Sequence, residues 1–102
     1  MIAVSVLYPN TTGNRFDLAY YEATHLPLVR RLLAPLGMRA LTFYRPVETD
    51  PDAPFRLVAE LRFDDMAATQ AALAAHGAET QADIANFTDE VPVILIGPLR
   101  HA

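Results

Sequence analysis

The most chemically suggestive spacing in the chain lies in Tyr20–Leu33, YYEATHLPLVRRLL, where His25 follows Tyr21 by four residues and precedes Pro27 by two. An unperturbed imidazole titrates at about pH 6.5, so His25 could act as a general acid or base at neutral pH. Tyr21 could position or polarise a substrate oxygen. At about 100° per residue, Leu18, Tyr21, His25, Leu28, Val29, Leu32 and Leu36 fall on one side of a helix, with Glu22 on the flank. His25 therefore sits in the stripe that should face a sheet. The plainer alternative is a core histidine bonded to a buried carbonyl or to Tyr21. Pro27 removes one helical hydrogen bond and crowds the carbonyl of Ala23, which predicts a kink or a local opening beside the histidine.

Asp83 and Asn86 are one helical turn apart and can share a face. They would either line the same pocket as His25 or fasten the C-terminal segment. His76, just before Gly77, reads as a histidine favoured by the negative end of a helix. Thr88 reads as a cap before the last strand, and Tyr44 as cleft-facing or as sheet packing. The histidines at 25, 76 and 101 lack metal-ligand spacing. No Gly-x-Gly-x-x-Gly follows a strand, so no nicotinamide or flavin site is expected, and no cofactor at all.

These residues need a scaffold. Ile2–Tyr8 is short and β-branched, a strand. Asp17 suits an N-cap for a helix over Leu18–Leu36, stopped by Gly37. Met38–Val47 and Phe55–Phe63 read as strands around the polar turn ETDPDAP. Asp64 is placed as the cap of a second helix closed by Gly77, followed by a short helical turn and a last strand over Val91–Gly97. The order is that of a ferredoxin-like βαββαβ domain of the α+β class, covering residues 1–102. Its four-stranded antiparallel sheet has helices on one face. In the first strand Ile2, Val4, Val6 and Tyr8 oppose Ala3, Ser5 and Leu7; in the last, Val91, Val93 and Leu95 oppose Ile94 and Ile96. Both faces are apolar, so a second copy of the sheet is the expected cover, which makes a homodimer. The alternative is a pair of well-buried central strands covered by loops.

Composition narrows the partners. The chain has 102 residues, 52% of them hydrophobic, no cysteine and a formal net charge of −4. One domain and no disulfide follow. The basic residues are all arginine and scattered, which disfavours nucleic acid and anionic membrane surfaces. No apolar run approaches a membrane span, and no basic segment precedes the first strand, so a cytoplasmic location is expected. A small organic molecule or a protein partner remains.

At this point SVLYPNTTGNRFDLAYYEATHLPLVRRLLAPLG resembles the opening of the ethyl tert-butyl ether degradation (EthD) family. The resemblance rests on Tyr8-Pro9-Asn10, Gly13, Phe16-Asp17, Tyr20-Tyr21, and His25 followed by Pro27-Leu28. HGAETQADIANFTDEVPVILIG is similar to the family's closing stretch, through His76-Gly77, Asp83-Ile84, Asn86-Phe87-Thr88 and Pro92. The similarity is weakest over Val47–Pro54. It implies a dimeric α/β barrel, in which two ferredoxin-like units pack sheet to sheet. Members of that superfamily include cofactor-free monooxygenases, isomerases, polyketide cyclases and haem-binding enzymes, with sites between sheet and helices. The expected function is a small cofactor-independent enzyme acting on a hydrophobic organic metabolite by histidine-mediated proton transfer. His25 and Tyr21 would be catalytic, and Asp83, Asn86 and Phe87 would bind substrate. The alternative is a non-catalytic binding or accessory protein that supports a partner oxygenase.

Overall fold

A computed structural model describes residues 1–102. Strand β1 (Ile2–Pro9) leads through a turn to a continuous helix made of α1 (Leu18–Tyr20), a π-helical turn (Tyr21–His25) and α2 (Leu26–Leu33), ending in a 3-10 turn (Ala34–Leu36). Strands β2 (Met38–Tyr44) and β3 (Phe55–Phe63), helix α3 (Met66–Ala82), a second 3-10 turn (Asp83–Asn86) and strand β4 (Val93–Pro98) complete the chain. The sheet order is β2-β3-β1-β4 with every pairing antiparallel, so the βαββαβ architecture stands. The shortest dimension, 19 Å, is that of one sheet and one helix layer. No helix is long and apolar enough to cross a membrane.

The caps follow local chemistry. The Asp17 carboxylate accepts the Tyr20 N–H at the start of α1. Gly37 ends the first helix at a φ of 104°, where any Cβ would be strained. The second helix departs from expectation at both ends. Asp65, not Asp64, is its cap, accepting from the Ala68 N–H. Asp64 instead receives Arg39 at 2.7 Å. Gly77 does not stop the helix, because its φ is not positive. α3 runs on to Ala82 and takes in the first half of the stretch expected as a short helix or helical turn, whose second half is the 3-10 turn Asp83–Asn86, while the Thr80 hydroxyl donates to the carbonyls of His76 and Gly77. His76 is therefore mid-helix, beside Glu79 at 2.9 Å, and not at a helix end. Strand β2 stops at Tyr44 ahead of Arg45-Pro46, and β4 begins after Pro92, since proline offers no N–H to a ladder.

The disturbance expected at Pro27 takes the form of the π turn. The Leu26 N–H bonds to the carbonyl of Tyr21, five residues back, while Pro27 has no N–H to offer Ala23. The wider turn accommodates an extra residue and shifts the register of everything after it. The buried positions beyond His25 are thus Leu26, Val29 and Leu33, in place of the Leu28, Val29, Leu32 and Leu36 of an undisturbed wheel. Tyr21 and His25, inside the π turn, both stay buried.

Val4, Val29, Leu33, Met38, Leu61, Phe63 and Ala72 form one core between sheet and helices; Tyr8, Tyr21, Leu26, Leu57, Ala59 and Phe87 form a second, more aromatic one. Pairing settles the faces of the sheet. Val4 lies between Leu61 and Ile96, and Val6 between Ala59 and Ile94, all toward the helices. Leu7 lies between Val58 and Val93, and Ser5 between Glu60 and Leu95, on the open face. That face is apolar along β1 and β4, as expected, but β3 adds a Glu60–Arg62 ion pair at 2.6 Å. Val93 and Leu95 are 43% and 59% exposed there.

Candidate active site

Two distant segments meet around His25. The loop before α1 is stitched to the stretch after α3: the Asp17 N–H donates to the Phe87 carbonyl at 2.7 Å, the Thr88 hydroxyl to the Arg15 carbonyl at 2.7 Å, and the Arg15 guanidinium to the Ala85 carbonyl at 2.6 Å. Asp83 is thereby brought under the π turn. Its Oδ2 lies 2.9 Å from Nδ1 of His25. Its Oδ1 accepts from the Tyr20 hydroxyl at 2.7 Å and from the Asn86 amide at 2.9 Å. Burial alone would raise the Asp83 pKa, but the bonds from Tyr20, Asn86 and His25 outweigh it and hold the carboxyl below its ordinary range.

An ionised carboxylate only accepts, so Nδ1 of His25 carries the proton and Nε2 is left as a lone-pair acceptor. Burial lowers the His25 pKa, and the opposing pull of Asp83 does not restore it. The ring is therefore neutral at pH 7. It is packed between Tyr21, stacked at 5.4 Å and 25°, and Phe87, at 4.7 Å.

A cavity of about 440 Å³ opens beside this ring, within the ~300–1,000 Å³ range of small-molecule sites. Its wall is mostly aliphatic, from Val4, Leu61 and Leu73 among others, and its polar side chains are Tyr8, Tyr21, His25, Thr80 and Gln81. Ile94 and Ile96 line it from β4 and remain 40% and 44% exposed, because the helix layer stops short of that strand. A second cleft of about 420 Å³ adjoins it at Gln81, Ile84 and Ile94, and carries Thr88, Asp89 and Glu90. Arg56 Nε is the one side-chain polar atom that is sealed and without a partner. Nε2 of His25 makes no hydrogen bond to the protein and is not among the sealed atoms, and the His25 side chain lines the cavity, which leaves Nε2 available to a ligand there.

Of the residues singled out from sequence, Tyr21 and His25 line the cavity. Asp83, Asn86 and Phe87 do not: Asp83 and Phe87 back the histidine, and Asn86 fastens Asp83. From that segment Ile84 reaches the wall instead. Glu22 points to solvent, Tyr44 is 64% exposed, and His101 lies in the exposed tail. Thr88 is buried, its hydroxyl also accepting the Glu90 N–H. No group of three His, Asp or Glu side chains could hold a metal ion. Sequence reasoning missed two participants. Tyr8 is legible only as the last residue on one of the two apolar faces of β1, and Tyr20 only as half of a tyrosine pair, on the far side of a regular wheel.

The family model for the EthD domain matches residues 11–90. The crystal structure of an EthD-like protein from Ralstonia eutropha JMP134 is similar at a TM-score of 0.81 and 37% identity, over 94% of this chain and 88% of that one. An ethyl tert-butyl ether degradation (EthD) family protein from Bacillus halodurans C-125 matches at a TM-score of 0.68 and 22% identity, over 98% and 99%. SnoaB, a cofactor-independent oxygenase from Streptomyces nogalater, shares the fold at a TM-score of 0.69 and 14% identity, over 99% and 94%. No curated protein matches the chain.

Proposed function

Since the chain belongs to the EthD family, we propose that it is a small cofactor-independent enzyme in which His25 moves a proton on a hydrophobic organic molecule. One observation carries this reading: Asp83 holds Nδ1 of an imidazole that lines an apolar cavity and whose Nε2 has no partner in the protein. A carboxylate behind the ring fixes the tautomer and stabilises the imidazolium formed when Nε2 takes a proton. Tyr21 stands beside the ring to hold a substrate oxygen. Asp83, Asn86 and Phe87 act as positioning residues rather than as substrate contacts. Isomerisation, dehydration or cyclisation needs no more than this, and attack of oxygen on a substrate carbanion would begin with the same proton abstraction. The working unit is a homodimer closed over the open sheet face, where Leu7, Val58, Val93 and Leu95 would otherwise meet water.

A binding role without turnover is the second reading, favoured by the largely aliphatic wall. The two are separated by incubating the protein in D₂O with a panel of apolar compounds. Native mass spectrometry reads binding, and NMR reads deuterium incorporation. Label incorporated by the wild type but not by His25→Gln supports the enzyme. Compounds that bind and emerge unlabelled and unchanged would leave binding as the role.

A further inference from the structure

Tyr8 ends the inward face of β1, and Tyr21 opens the π turn. Both are 1% exposed, and both line the cavity. Neither hydroxyl makes a hydrogen bond to the protein, yet neither belongs among the sealed, unpartnered atoms. Both hydroxyls are therefore donors without a protein acceptor, carried by side chains that line the cavity. The rings stand 6.0 Å apart at 83°, and Tyr21 stacks on His25. Burial, first of all, raises both phenol pKa values far above neutrality, so each keeps its proton.

The rest of the wall says what these donors serve. No Lys, Arg, Asp or Glu side chain is part of it. The charge beside the site is the Asp83 carboxylate behind His25. An anionic ligand would lose its hydration, gain no cation and meet that negative charge. A pure hydrocarbon would leave two buried hydroxyls unpaired. A neutral molecule with one accepting oxygen meets both conditions.

We infer that the cavity takes an uncharged, largely apolar, enolisable ketone, its carbonyl oxygen held by the hydroxyls of Tyr8 and Tyr21 and its α-carbon turned to Nε2 of His25. This rests on the proton-transfer reading above and makes Tyr8 a substrate-binding residue. In the step, Nε2 takes the α-proton. The C–H electron pair forms the C=C bond, and the carbonyl π pair moves to the oxygen. The two phenol O–H groups donate to that oxygen, where the negative charge develops. Return of a proton from the imidazolium to carbon restores the enzyme, so no oxidant or reductant is needed.

The test uses 2-tetralone, its parent hydrocarbon tetralin, and tetralin-2-carboxylate as probes of the full-length protein. Wild type should bind 2-tetralone at least several-fold more tightly than either analogue, and the bound ketone's infrared carbonyl band should shift to lower frequency. Tyr8→Phe and Tyr21→Phe should each weaken ketone binding about two- to tenfold, the value of one hydrogen bond, and return part of the band shift. Neither should change tetralin affinity by more than about twofold. His25→Gln should keep ketone binding and lose α-hydrogen exchange in D₂O. Equal affinity for ketone and hydrocarbon, or an unshifted carbonyl band in the wild type, would overturn the inference; that band measurement stands even if a tyrosine variant fails to fold. If the band shifts but His25→Gln exchanges at the wild-type rate, the ketone site stands and the proton-transfer reading falls. If the wild type exchanges but the band does not shift, the reverse holds.

Discussion

Asp83→Asn tests the reasoning at its centre. The carboxylate accepts from Tyr20 at 2.7 Å, from Asn86 at 2.9 Å and from His25 at 2.9 Å. An amide offers one oxygen. Keeping the Tyr20 and Asn86 bonds on that oxygen turns the new NH₂ toward Nδ1 of His25. Nδ1 must then accept, the ring proton moves to Nε2, and the cavity loses its base. Hydrogen bonds to a charged acceptor are worth ~1.5–3 kcal/mol each, less at a partly solvated site. With the Asp83 side chain 11% exposed, losing the charge should cost about 2 kcal/mol, a fall in Tm of roughly 10 °C for a domain of this size. Proton-transfer activity should drop about 10²–10⁴-fold, the span general-base catalysis supplies. Long-range ¹⁵N–¹H NMR reads the His25 tautomer in both proteins, beside a melting scan and the D₂O exchange assay. A wild-type spectrum with the proton on Nε2, or a variant that keeps its exchange rate and melting point, would falsify the argument.

His25 is buried neutral with its pKa lowered, so the unfolded chain takes up its proton first as pH falls; unfolding free energy should be flat above about pH 7 and decline below about 6.5. His25→Gln should flatten that decline between pH 6.5 and 5, as measured by urea denaturation across pH. The depressed Asp83 carboxyl adds a further loss at pH values below about 4, in the same direction. Sedimentation should find a homodimer at micromolar concentration, and Leu95→Asp, at a position 59% exposed in the single chain, should give a folded monomer; a wild-type monomer would sink the interface. Gly37→Ala should destabilise by about 1–2 kcal/mol because its φ is 104°. Gly77→Ala should stabilise by up to ~1 kcal/mol, since its helical backbone admits a Cβ at an ordinary 3.8 Å from Leu73, and equal melting shifts of one sign would contradict this contrast.

The succession of strands and helices, the alternation of Ile2, Val4, Val6 and Tyr8 against Ala3, Ser5 and Leu7, and the nearness of Tyr21 to His25 are legible in the amino-acid order, while the inward side of β1 is not, because both of its faces are apolar. The legible features are short-range properties. Side-chain alternation in a strand and the 3.6-residue turn of a helix act within a few residues, and Asp17 and Gly37 announce helix ends by local backbone chemistry. Gly77 shows the limit of that reasoning. A glycine ends a helix only if its φ turns positive, and packing along α3 kept it helical. The π turn was foreshadowed by Pro27, but the register shift that buries Leu33 instead of Leu32 depends on how the helix settles on the sheet. Only tertiary structure could decide the partners of His25. Asp83 is 58 residues away. Its arrival under the imidazole depends on the long-range bonds that tie Arg15 and Asp17 to Ala85–Thr88. The same folding leaves the Tyr8 and Tyr21 hydroxyls unmet at the cavity, which no local periodicity encodes, because it is a property of the space between elements.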